Sequence, residues 1–228
     1  MPSEHDGHRV RLKHRFIKTG LDDFEPHNVL ELLLFYSVPR KDTNPLAHNL
    51  INYFGSLSAV FDAKPEELMQ VEGVTENTAV LLSMIPQISR RYLEEKADAL
   101  NAVGGILDIG TYILPKFVGR TVETVMMIGL DNKNKAISCG IIAEGESSSA
   151  KVSKRKVMEE AIRSKATRVV LAHNHPLGFA IPSPEDVYMT EEVYSLLKPI
   201  GIELMDHIII AGDDFVSMAA SGIYFDKK

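Results

Sequence analysis

His173 and His175 stand one residue apart at the close of an apolar run, Leu171-Ala172-His173-Asn174-His175-Pro176, and a carboxylate, Asp186, follows after one loop. Two neutral imidazoles and an ionised carboxylate form a three-ligand set for zinc that leaves a fourth position for water. In extended backbone, residues i and i+2 point to the same side, so both rings can reach one ion. An ion held this way keeps a net positive charge and draws the pKa of a bound water towards neutrality. That is the chemistry of metal-dependent hydrolysis. A plainer reading competes with it. Ser183-Pro184-Glu185-Asp186 also fits the start of a helix, with Ser183 as N-cap, Pro184 at the first helical position and an acid three residues after the cap. The two roles compete for the oxygens of Asp186. The conjunction of His-x-His and the acid within one short segment favours the metal.

The elements that must position these residues can be read on either side. Arg168 to His173 continues a strand that opens at Thr167. Val169, Val170, Leu171 and Ala172 make it apolar on both faces, so it belongs in the middle of a sheet. Ser183 to about Leu197 is a helix, and Ile202 to Ala211 is another strand. Upstream, Val122 to Leu130 and Lys135 to Ala143 read as strands joined by a hairpin-type turn at Asp131-Asn132-Lys133-Asn134. A helix carries Val157, Met158, Ala161 and Ile162. Ser147-Ser148-Ser149 reads as a polar loop.

Up to about Lys96 the texture is helical. Asn28 to Val38 is one helix, stopped by Pro39. Asn44-Pro45 opens another that ends at Gly55. Pro65 to Val71 is short, Glu72 to Thr75 turns, and Glu76 to Leu93 resumes with Pro86 expected to kink or divide it. Glu95 to Gly105 is charged, then rich in Ala and Gly, and reads as a linker. The expected organisation is therefore a helical domain over 1–96 and an α/β (α+β) domain over 105–228.

The 228 residues carry a net charge of -6, which argues against a protein that coats nucleic acid generally. Cys139 is the only cysteine, so no intrachain disulfide can form, and any metal must take His and carboxylate ligands. The polar Met1-Pro2-Ser3-Glu4-His5-Asp6 lacks the apolar core of a signal peptide, and no apolar run is long enough to span a bilayer. A cytoplasmic location is expected. His5, His8, His14, His27 and His48 lack ligand spacing and read as solvated or structural. His207, beside Asp206 in a strand, reads first as half of a hydrogen-bonded core pair and second as a partner of the metal ligands.

His173-Asn174-His175-Pro176, then Pro182-Ser183 and Asp186, resembles the His-x-His-x10-Asp motif of the JAMM (JAB1/MPN+) metalloproteases. More closely, the chain resembles the RadC / UPF0758 family, whose block closes in Asp-His-Ile-Ile, here Asp206-His207-Ile208-Ile209. The likeness runs from Gly7-His8-Arg9 to Ser217. It implies a JAB/MPN-like mixed sheet flanked by helices, with zinc held by His173, His175 and Asp186. It further implies Glu123 as the carboxylate that moves the proton of the attacking water, and Ser183 as support for the developing oxyanion. The implied partner is a peptide or protein substrate, cut at a peptide or isopeptide bond. Leu177 stands where the family usually has serine, and Arg155-Lys156 replaces a common Arg-Glu pair. Neither change touches the ligand set.

The helical part supports a rival reading. Val71 to Ala79 resembles a helix-hairpin-helix, a turn that presents backbone N–H groups to a DNA phosphate. Thr75 replaces its second glycine, and Glu72 and Glu76 add negative charge. Arg9, Arg11, Lys13, Arg15 and Lys18 form a basic cluster that could add a phosphate-contacting patch. On this reading the chain is a DNA-associated accessory protein that binds DNA weakly and carries a structural metal site.

Overall fold

A computed structural model describes residues 4–103, 109–145 and 152–223. The Ser147 to Ser149 loop and the end of the expected linker lie outside these residues. The chain divides into two compact units, Met1–Ile88 and Ser89–Lys228.

The first unit is all helical. It contains α1 (Glu4–Thr19), α2 (Pro26–Ser37), α3 (Asn44–Phe54), α4 (Leu57–Asp62), α5 (Pro65–Leu68) and the start of α6 (Glu76–Val103). Pro26 and Pro45 begin helices where a missing N–H costs nothing, and Gly55 ends α3 at φ 90°, donating to the Ile51 carbonyl at 2.7 Å. Leu30, Leu34, Leu50, Leu68 and Leu82 fill its core. Arg9 is committed inside this unit: its guanidinium donates to the Val38 and Lys41 carbonyls, each at 2.6 Å, and stacks over Phe35. It thus holds the end of α2, where carbonyls lack helical partners.

α6 is continuous across Pro86 and runs on to Val103, so the segment expected to be a linker is helical through that residue. The reason is tertiary. Ala97 is buried among Tyr112, Ile113 and Phe117, and Asp98 sits 3.4 Å from the buried Lys116 ammonium. The division between units falls inside α6.

The second unit is built on a five-stranded mixed sheet in the order β2-β1-β3-β4-β5. Its strands are β1 (Glu123–Leu130), β2 (Ala136–Gly145), β3 (Arg168–Asn174), β4 (Glu203–Ala211) and β5 (Asp214–Ser217), and its helices are the end of α6, α7 (Ile109–Ile113), α8 (Lys154–Ser164) and α9 (Pro184–Leu197). β1 runs antiparallel to β2 and β3, β3 is parallel to β4, and β5 returns antiparallel. The parallel pair needs a crossover, which α9 supplies. β3 is central, as its two-sided apolarity requires. Val169 and Leu171 pack with Val157 and Ala161 of α8 and Val193 and Leu197 of α9, while Val170 and Ala172 face Tyr112 and Phe117. The β1–β2 turn is held by Asp131, whose carboxylate accepts from the Lys133 and Lys135 N–H groups at 2.8 and 2.9 Å. Among the described residues no helix is long and apolar enough to cross a membrane.

Candidate metal centre

The C-terminal end of β3 and the N-terminal end of α9 bring the two histidines and the acid together. His173 is the penultimate residue of β3. His175 lies just beyond the strand, and its N–H donates to the Ile210 carbonyl of β4 at 2.7 Å, prolonging the parallel pairing. Asp186 occupies the first turn of α9 on the stripe Asp186, Met189, Thr190, Val193, Leu197 that the helix buries. The Nε2 atoms of His173 and His175 lie 2.8 Å apart. Asp186 Oδ1 is 3.1 Å from the first, and Oδ2 is 3.4 Å from the second. Ligands about 2 Å from a tetrahedral ion are separated by roughly 3.3 Å, so these spacings fit one ion.

The donor set fits as well. The Nδ1 of His175 is 3.0 Å from the Phe179 carbonyl, which can only accept, so Nδ1 carries the proton and Nε2 offers a lone pair. Oδ1 of Asp186 is buried, and no hydrogen-bond donor satisfies it. An unsatisfied carboxylate oxygen beside a histidine lone pair suits a cation between them. The group could hold a metal ion, and it is the only such His/Cys/Asp/Glu group among the described residues.

The expected cap is present, and it occupies one oxygen of Asp186. Oδ2 accepts from the Ser183 N–H at 2.7 Å, and Ser183 Oγ accepts from the Asp186 N–H at 3.2 Å, closing a capping box. Burial works to raise the Asp186 pKa. The hydrogen bonds that the carboxylate shares with Ser183 work to lower it.

A cavity of about 660 Å³ opens on this centre, lined by Val122, Glu123, His175, Leu177, Ser183 and Asp186 among others. The structure therefore gathers all five expected site residues: His173 and Asp186 fully buried, His175 half-buried, and Glu123 and Ser183 on the cavity wall. Of its lining, Leu177 is fully exposed, and the neighbouring Phe179 and Ile181 are exposed as well. A second cavity of about 570 Å³ lies against β2, where Lys116 pairs with Asp98 and Arg120 with Glu144.

Asn174, His207 and Asp206 make further contacts around the centre, of which the sequence offered only the link from His207 to the ligands, as its second reading. Asn174 turns away from its histidine neighbours. Its target is the mouth of β1: Oδ1 accepts from the Thr124 N–H at 2.8 Å, and Nδ2 donates to the carbonyls of Val122 at 3.2 Å and Arg120 at 3.3 Å. These bonds bracket Glu123. The His207 ring, first expected to pair with Asp206, reaches His173 Nδ1 at 2.8 Å and Thr190 Oγ1 at 2.6 Å. The Asp206 carboxylate turns instead to Ser217 Oγ and to the backbone N–H groups of His207 and Ala219. Asp206-His207 in an apolar strand was a visible signal. Thr190 gave none.

A mixed sheet with helices on both faces, with a His-x-His at the end of its central strand and an aspartate at the start of the helix that follows, is the arrangement expected above of a JAB-like domain. Comparison with known proteins agrees. A family model described as RadC-like JAB domain matches residues 105–223. UPF0758 protein FN0909 of Fusobacterium nucleatum subsp. nucleatum is 31% identical over 227 residues, covering 96% of this chain and 98% of its own length. This chain belongs to the RadC (UPF0758) family of JAB-domain proteins.

Proposed function

We propose that this chain is a zinc-dependent hydrolase of JAMM metallopeptidase type, acting on a peptide or isopeptide bond. The observation that carries the reading is the convergence of His173, His175 and Asp186 on one point at the wall of a cavity that also presents Glu123 and Ser183. A buried structural site would not need that opening. The three residues would hold zinc, which supplies Lewis acidity towards an amide carbonyl and towards water.

The chain's own residues do the rest. Glu123 takes the proton from the attacking water and passes it to the leaving amine. Ser183 Oγ accepts from Asp186 N–H, and its own O–H remains to donate to an oxyanion forming beside the cap. Phe179 and His207 hold the imidazoles, while Asn174 holds the backbone on both sides of Glu123.

The test is Glu123→Gln, assayed on substrates found by screening a peptide library with the zinc-loaded protein. The near-isosteric amide should leave fold and zinc content unchanged and lower turnover by roughly 10²–10⁴-fold. Turnover at the wild-type rate would contradict the assignment.

A further inference from the structure

His173, His207, Thr190 and Asp186 form a closed ring of contacts across three elements, and all four side chains are fully buried. The ring has a direction, set by one group that can only accept. Thr190 Oγ1 donates to the Asp186 backbone carbonyl at 2.5 Å, one helical turn back on α9. Having given its proton there, the hydroxyl meets His207 Nδ1 as an acceptor, at 2.6 Å. His207 Nδ1 therefore carries a proton, and Nε2 of the neutral ring offers a lone pair. That lone pair faces His173 Nδ1 at 2.8 Å, so the proton of His173 sits on Nδ1. Its Nε2 is left unprotonated, 3.1 Å from Asp186 Oδ1.

From this geometry we infer that Thr190 and His207 are positioning residues that lock His173 in the Nδ1–H tautomer and so aim its Nε2 lone pair at the metal centre. The inference rests on the reading of His173, His175 and Asp186 as metal ligands. The brace ties two of those ligands together, because it starts on the main chain of Asp186 and ends on the ring of His173. β4 contributes the middle link: Leu171 of β3 registers with His207, which places the two rings on the face that α9 covers. His175 obtains the same tautomer independently from the Phe179 carbonyl.

The tautomers can be read directly by long-range proton–nitrogen NMR on the metal-free full chain at pH 8. His173, His175 and His207 should all appear as Nδ1–H forms. An Nε2–H form of His173 in the wild type would overturn the brace. Thr190→Val, which keeps the shape and removes the hydroxyl, should give mixed His173 tautomers. It should also weaken zinc binding about 10–100-fold in competition with a chelator. Thr190→Ser should restore both. His207→Phe combined with Thr190→Val should bind no more weakly than His207→Phe alone, because both act through one path. A merely structural role would lower the melting temperature and leave affinity and tautomer unchanged. A folded Thr190→Val that binds zinc within twofold of wild type overturns the inference. Failure of the metal reading looks different: the wild type, or His175→Ala against it, shows no ligand-dependent zinc uptake, while the tautomer spectrum still decides the brace.

Discussion

Asp186 caps the helix with one oxygen and leaves the other free of the cap. The Ser183 N–H occupies Oδ2, and Oδ1 turns to His173. Substitutions should separate the two roles. Asp186→Asn keeps an oxygen that can accept from Ser183 but removes the anion. Zinc affinity should fall, with little change in the melting temperature. Asp186→Ala should lose the zinc equally and lower stability further, by about 1 kcal/mol for the lost cap. Chelator competition and thermal unfolding of the two variants check this. Equal melting temperatures for Asn and Ala would mean that the capping box contributes nothing.

At the scale of elements, the site exists because strands and a helix end at one place. Asn174 fastens the end of β3 to the backbone on both sides of Glu123. Asn174→Ala leaves the buried Thr124 N–H and the Arg120 carbonyl without their Asn174 partner, which should cost about 1–3 kcal/mol. It should also lower kcat while zinc affinity stays within a few-fold of wild type, because no ligand is touched. A large loss of zinc with unchanged kcat in the remaining loaded enzyme would refute that role. The same elements show what the sequence made legible. β3 and α9 announced themselves through a two-sided apolar run and a Ser-Pro-x-Asp start, both local signals. β5 did not: Asp214-Phe215-Val216-Ser217 is short, and its place comes from pairing with β4. Glu95 to Val103 looked like a linker because its small and charged residues carry weak local preference. The burial of Ala97 and the Lys116–Asp98 contact, supplied from α7 and the residues after it, keep it helical. The His173–His207 contact joins residues far apart in sequence; Asp206-His207 in a strand offered it only as a second reading, and the link through Thr190 not at all.

The whole molecule contains two compact units whose boundary lies within α6. A fragment of residues 89–228 keeps Ala97 and Asp98, whereas one starting at 105 discards both. The first should fold and hold metal; the second should melt at lower temperature. Equal melting curves would show that the end of α6 adds nothing. Acid should destabilise the metal-free protein through His207. Burial, reinforced by His173, lowers its pKa well below 6.5. Below about pH 6.5 the unfolded chain takes up a proton that the folded chain refuses, so stability falls as pH falls, until the folded value is reached. The slope should approach ~1.4 kcal/mol per pH unit and flatten in His207→Gln. Denaturant unfolding between pH 7 and pH 5 measures it, and an unchanged slope in the variant would exclude His207 as the source. The most direct test of the account is zinc content per full chain, measured for the wild type and for His173→Ala combined with His175→Ala. The account predicts about one tightly bound zinc per wild-type chain and none in the double variant. Zinc retained by the double variant, or a wild-type chain that binds none, would contradict it.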